Sequence, residues 1–255
     1  MFGIGFITWK LEQVPELLDL AIKHQPRAIM LSFGDIKPFA SKIKDAGITL
    51  ITQVQTVKQA IYDKEQGADI IVAQGSEAGG HGANRGTMAL VPAVVDSVGT
   101  TPVVAAGGIC DGRGMAASIM LGAQGVLLGT LFCASLEANG IAAAKKLLIE
   151  SNGDQTIRSE LFDIVDGYDW PKPYTARAIK NKFSEQWQGK AELSDKITKN
   201  TQDMYKQAKR NSDLDIAAIF AGEGLDLIHD ILPAKMIVQS LVEQFDYSMG
   251  NIRKW

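Results

Sequence analysis

Cysteine is scarce in this chain: Cys110 and Cys133 are the only two in 255 residues. Two thiols make no disulfide framework, so a reducing compartment, the cytoplasm, is the expected location. Neither sign of charge dominates. Lys and Arg number 26 against 29 Asp and Glu, for a net charge of −3. Such a balance supplies no basic stripe for nucleic acid and no polybasic segment for a membrane. The opening "MFGIGFITWK" lacks the basic segment of a signal peptide and is too short to span a bilayer. Histidine is nearly as rare, with His24, His81 and His229 making three. No metal-ligand spacing, P-loop or G-x-S-x-G elbow occurs, so no metal is expected. There is no solenoid-type repeat and no low-complexity tract.

What is present is ordinary globular material, 46% hydrophobic and 22% charged. The length suits one large domain, or one with an appendage. The first half alternates regularly. Strand-like runs stand at 2–8, 28–33, 48–54, 70–74, 102–107 and 125–130. They are short, apolar on both faces and bounded by turn residues, as strands of a buried parallel sheet are. Helix-like stretches separate them, and several end at a glycine (Gly47, Gly67, Gly99, Gly122) suited to a left-handed cap. The pattern predicts an α/β fold, either an open doubly wound sheet or a closed (β/α)8 barrel. From about residue 134 strand signals vanish. The stretches 140–154, 176–187, 190–210, 214–230 and 233–245 read as helices, the last opening after Pro233.

Three loops follow strands and are rich in glycine. "GGIC" at 107–110 and "LLGT" at 127–130 end the last two strand-like runs. Each offers backbone N–H groups unshielded by side chains, as a phosphate site at the end of a barrel does. Gly107, Gly108 and Gly129 would admit a phosphate, with the Thr130 hydroxyl as a further donor. The third loop, "AQGSEAGGHGANRG" at 73–86, surrounds one histidine with five glycines. Gly79 and Gly80 remove bulk beside His81, which a planar ligand over the loop would need. His81 is then placed to act as a base or hydrogen-bond donor. Gln74 stands at the strand end, where its amide can donate and accept, and Gln53 and Gln55 could reach a ring edge. His24, at a helix end, reads as structural, and His229 as a partly exposed helix residue. Cys110 has no histidine nearby in sequence and reads as a small buried residue rather than a nucleophile. Glu77, Arg85, Asp111 and Arg113 read as turn and surface residues.

"IIVAQGSEAGGHGANRG", "VVAAGGICDGRGMAASIMLGAQGVLLGT" and "DWPKPYTARAIKN" together resemble the nitronate monooxygenase family, formerly called 2-nitropropane dioxygenases. The similarity runs from "GIGFITW" to the closing "AKMIVQSLV", nearly the whole chain, and the E-A-G-G-H loop is its most specific part. Flavin-dependent enoyl-acyl-carrier-protein reductases share that loop and the phosphate loops. The resemblance implies an FMN-binding TIM barrel with a helical insert after the last strand and a final helix returning to the barrel. It implies His81 as the catalytic residue. By the same resemblance, Gln74, Gly79, Gly80, Gly107, Gly108, Gly129 and Thr130 are the FMN contacts. Glu223 of "AGEG" stands where many members have glutamine, and Leu127 and Leu128 stand where some have a polar residue.

Six strand-like runs are fewer than a barrel's eight, and nothing matches the family's first-strand Q-A-P-M-like segment. The expectation is therefore a barrel lacking its first two βα units, with residues 1–133 as strands 3–8, 134–223 as the helical substrate cap and 224–255 as the returning helix. An incomplete gene model, a deliberate fragment, or a short form that closes as a homo-oligomer would each account for it; the first is favoured. The implied reaction is FMN-dependent oxidation of a small alkyl nitronate or nitroalkane with O2 to a carbonyl compound and nitrite. Enoyl-thioester reduction with NAD(P)H, and an inactive flavin-free fragment, are the alternatives.

Overall fold

The computed structural model describes residues 2–187 and 196–252. The chain divides into two compact units. The first comprises Met1–Ser76, Asn84–Ala106 and Ala117–Leu127; the second comprises Glu77–Ala83, Gly107–Ala116 and Leu128–Trp255.

The first unit is built on strands β1 (Gly3–Ile7), β2 (Ala28–Ser32), β3 (Thr49–Val54), β4 (Ile70–Gln74), β6 (Val103–Ala106) and β7 (Gly125–Leu127), while β5 (Gly80–Gly82) belongs to the other unit. The six form one sheet in the order β1-β2-β3-β4-β6-β7, and every neighbouring pair is parallel. Each of the six expected runs is a strand. A doubly wound sheet reverses direction at a switch point, whereas this order follows the chain from end to end, as the wall of a (β/α)8 barrel does. That decides between the two architectures the pattern left open.

The inner strands β2, β3, β4 and β6 form because their apolar side chains are buried, whereas β1, at the sheet edge, is largely exposed. Ile29, Leu31, Leu50 and Ile71 are fully buried, as are Leu90, Val91 and Val94 of the helix Thr87–Val98. Burying such a side chain is worth about 1.5–3 kcal/mol, which is what commits these short apolar runs to the sheet. The turns between helix and strand take the expected geometry, with Gly47, Gly67, Gly99 and Gly122 all at positive φ. The helix Val57–Glu65 is capped by Thr56, whose hydroxyl accepts from the Gln59 amide at 3.1 Å.

The second unit departs from the sequence pattern, which shows helices alone after residue 134. Strands β8 (Thr156–Ser159) and β9 (Thr175–Ile179) lie there and form an antiparallel sheet with β5 in the order β5-β9-β8. The stretch 176–187, read as one helix, is β9 followed by the helix Lys182–Trp187. The stretch 214–230, also read as a helix, instead holds the 3-10 turn Glu223–Leu227 and an isolated antiparallel bridge from Phe220 to Ala178. The first residues of the helix expected over 190–210 fall outside the described residues; its remainder is the helix Lys199–Asn211. The helices Ala142–Glu150 and Ala234–Ile252 stand where expected.

Two apolar clusters hold this unit. One joins Leu161, Phe162, Val165, Phe183 and Tyr205, and the other joins Cys110, Leu148, Leu225 and Ile228. No described helix is long and apolar enough to cross a membrane.

Candidate active site

In the first unit the predicted glutamines meet at the carboxyl ends of β3 and β4. The Gln74 carbonyl Oε1 accepts from Gln55 Nε2 at 2.8 Å and from Gln53 Nε2 at 3.2 Å, and all three residues are buried. Two donors on one oxygen fix the orientation of the Gln74 amide and leave its own N–H groups to donate. On the neighbouring strand, Phe33 takes φ 62 just beyond β2, a conformation that costs a bulky residue about 1–2 kcal/mol.

In the second unit the three glycine loops come together on one backbone segment, Ala221–Gly224. Gly222 N–H donates to the Thr130 hydroxyl at 3.0 Å, and Glu223 N–H donates to the Glu77 carbonyl at 2.9 Å. A Cβ on Gly79 would stand 2.6 Å from Gly222 N, and one on Gly224 would stand 2.6 Å from Cys110 Sγ and 3.0 Å from Gly108 O. The E-A-G-G-H, G-G-I-C and G-T segments are thus gathered by "AGEG". Ala106 of β6 is in register with Leu127 of β7, so the segments starting at Gly107 and Leu128 leave side by side. Gly107 and Gly108 take φ 109 and 70, values that favour glycine.

Gly79 has a structural reason that the sequence did not reveal. Its missing side chain lets two backbones touch. Gly80, at φ 70 with open space around its Cβ position, keeps the bare surface expected beside His81. The loop is also tied by Arg158, whose guanidinium donates to the Ala78 carbonyl at 3.0 Å and to the Thr175 carbonyl. Burial, reinforced by nearby Arg177, lowers the Arg158 guanidinium to about 10, so it stays charged at neutral pH. Arg177 pairs with the Glu223 carboxylate at 2.8 Å.

His81 sits in the middle of β5, opposite Ala176 of β9. Its Nε2 lies 2.8 Å from Oδ1 of Asp163, on the helix Leu161–Asp166, and both side chains are largely buried. The Trp170 ring stacks on the imidazole, centroids 3.4 Å apart and planes 9° apart, and Phe220 stands at 6.2 Å. Asp163, Trp170, Phe220 and Arg158 were not singled out from the sequence. A faint signal existed for Asp163, an acid set between the apolar pairs of "LFDIV".

The secondary candidates resolve simply. Cys110 is buried, and burial with Asp111 nearby pushes its thiol up to about 12, so it is no nucleophile at neutral pH. Asp111 caps the helix Gly112–Met120 through Gly114 N–H at 2.8 Å and holds Arg113 at 2.6 Å. Arg85 donates to the Ala89 carbonyl. His24 caps the helix Glu16–Lys23; His229 is exposed and lies outside any helix.

The nitronate monooxygenase family model matches residues 11–244. The chain is 34% identical over 248 residues to a probable nitronate monooxygenase of Staphylococcus aureus, covering 91% of this chain and 66% of that one. It is 32% identical over 271 residues to nitronate monooxygenase of Neurospora crassa, covering 95% and 70%. The chain belongs to the nitronate monooxygenase family. It spans 66% of the length of the Staphylococcus relative. Among solved structures it is similar to FabK from Thermotoga maritima, with a TM-score of 0.85 and 26% identity over 99% of this chain and 78% of that one. Nitroalkane oxidase from Streptomyces ansochromogenes shares the fold, with a TM-score of 0.81 at 21% identity over 98% of this chain and 82% of that one.

Nitronate monooxygenases are FMN-dependent flavoenzymes, and the residues of this chain fit that group. Space at the Gly129 Cβ position is open, with no atom within 4 Å. The Thr130 oxygen accepts from Gly222, which leaves the hydroxyl hydrogen to donate. A phosphate needs such backbone and hydroxyl donors.

Proposed function

We propose that this chain carries the flavin site of an oxidoreductase that converts small alkyl nitronates, with O2, to a carbonyl compound and nitrite. The single observation that carries the reading is the seating of His81. It stands on a glycine-flanked strand, bonded to a buried carboxylate and stacked on an indole, in the unit that also gathers the two phosphate-type loops. When bound, FMN would supply the electron transfer between substrate and O2.

The chain's own residues do the remaining work. Gly107, Gly108, Gly129 and Thr130 hold the phosphate through backbone N–H groups and a hydroxyl. Gln74, with its carbonyl engaged by Gln53 and Gln55, donates to the ring edge. Gly80 keeps the approach beside His81 open, and Gly79 keeps the loop seated. His81 removes the α-proton of a neutral nitroalkane or, as an imidazolium, balances the charge of a nitronate.

The test is a visible absorption spectrum of the purified chain with its released cofactor identified, followed by O2 uptake and nitrite formation on ethyl nitronate. FMN near one per chain and nitrite formation dependent on nitronate support the reading. NAD(P)H oxidation coupled to enoyl-thioester reduction, without nitronate turnover, would replace it with a reductase. No flavin even after added FMN would replace it with an inactive barrel piece.

A further inference from the structure

We infer that Phe220 is a specificity-determining residue: its ring is the apolar wall that takes the alkyl chain of the nitronate, favouring butyl and hexyl nitronates over ethyl. The inference rests on the reading that His81 handles the reacting carbon, and it adds where the rest of the substrate lies.

The placement follows from strand register. His81 of β5 stands opposite Ala176 of β9, and Phe220 forms an isolated antiparallel bridge with Ala178. Ala176 and Ala178 are two residues apart on one strand, so they point to the same face of the sheet. Residues directly opposite in an antiparallel pair share that face. His81 and Phe220 therefore rise from one face, two positions apart. Both alanines are fully buried and small, and the two ring centroids lie 6.2 Å apart with planes tilted by 45°.

The backbone that carries Phe220 is held on both sides. Ile179 N–H donates to the Ile219 carbonyl at 2.9 Å, Ala218 N–H to the Tyr205 hydroxyl at 3.1 Å and Gly222 N–H to the Thr130 hydroxyl at 3.0 Å. The ring stands edge-on to Phe162, 6.3 Å away at 86°, and Phe162 is fully buried. Phe220 itself is 45% exposed. Leaving that much of a large aromatic in water forgoes the gain of burying it, and a bound alkyl chain restores that gain. Trp170 already fills one face of the imidazole at 3.4 Å; Phe220 is the neighbouring ring with surface to offer.

The preferred chain length follows from the spacing. An ethyl group held at His81 covers little of the 6.2 Å to the Phe220 ring, whereas butyl and hexyl chains span it. Each methylene laid on the ring should raise kcat/KM about two- to threefold. The gain belongs in KM rather than kcat, because the chain packs on the ring before and during the reaction alike.

The test is a kcat/KM series of the FMN-loaded full-length chain on the nitronates of nitroethane, 1-nitrobutane and 1-nitrohexane, read as nitrite formed. The hexyl-to-ethyl ratio should be roughly 10- to 100-fold in the wild type. Phe220→Ala should lower that ratio by about tenfold, and Phe220→Leu, still apolar, should keep part of it. A flat or falling series in the wild type overturns the proposal without any variant. So does Phe220→Ala that loses activity on all three nitronates alike and keeps the wild-type ratio, the mark of a merely structural role. Failure of the underlying reading looks different: no nitrite forms from any of the three nitronates, and the proposal falls with it.

Discussion

Gly79 and Gly222 lie backbone against backbone. A Cβ on Gly79 would meet Gly222 N at 2.6 Å, and a Cβ on Gly222 would meet Gly79 N at 2.9 Å and Glu77 O at 2.6 Å. The two main chains seat each other, and the loop carrying His81 depends on that contact. The neighbours at Gly79 are backbone atoms, which cannot swing aside as a side-chain end can. Gly79→Ala should therefore destabilise the chain by about 1–3 kcal/mol, seen as a lower melting temperature, and should weaken FMN retention. An unchanged melting temperature would mean that the two segments separate freely.

Arg158 and Arg113 make opposite expectations for the same residue type. Arg158 satisfies two backbone carbonyls from a half-buried position, whereas Arg113 is a 73% exposed partner of Asp111. Arg158→Leu strands those carbonyls and should cost about 2–4 kcal/mol. Arg113→Ala should cost under about 1 kcal/mol. Urea titration of the two variants side by side checks the difference.

Asp63 gives a pH dependence with a definite sign. It lies buried in the helix Val57–Glu65, and burial raises its carboxyl from 3.8 to about 6, against the lowering pull of Gln59 and Thr52. The folded chain therefore binds this proton more tightly than the unfolded chain. Its contribution is fully present below about pH 4 and is lost as pH rises through about 6, a change on the order of 3 kcal/mol. Asp63→Asn should remove that slope and raise stability at pH 7. Denaturant midpoints at pH 4.5, 6 and 7.5 decide it; a wild-type slope retained in the variant assigns the effect to another group.

The two thiols should separate by access. Cys133 is exposed, while Cys110 is buried with its thiol pushed up to about 12. A thiol reagent at pH 8 should titrate one group in the folded chain and a second only after denaturation. Cys110→Ser should keep FMN binding. Rapid modification of both thiols would contradict the burial.

Legibility followed locality. The six strands of the parallel sheet were readable because each is a short apolar run ended by turn residues and glycine caps, even though β1 at the sheet edge is largely exposed. The strands of the second sheet were not. β5 is three residues long, too short to show a period, and it pairs with β9 from far along the chain. β9 carries Arg177 between two alanines, a composition that suits a helix equally well. The run 214–230 looked helical from its apolar spacing, yet Gly222 and Gly224 are there for close approach to other backbones and break the helix. The candidate site divides the same way. His81 and its glycines sit in one readable loop, whereas Asp163 lies 82 residues away. Only folding brings that carboxylate to the ring.

The second unit is assembled from three separate stretches of chain: seven residues around His81, ten beginning at Gly107, and everything from Leu128. No single cut yields it whole. A graft of the carboxyl-terminal half onto another scaffold would leave behind β5, and with it His81 and the partner strand of β9. Recombination can therefore exchange this unit only as an interleaved set, and the histidine and its surroundings are inherited together or not at all.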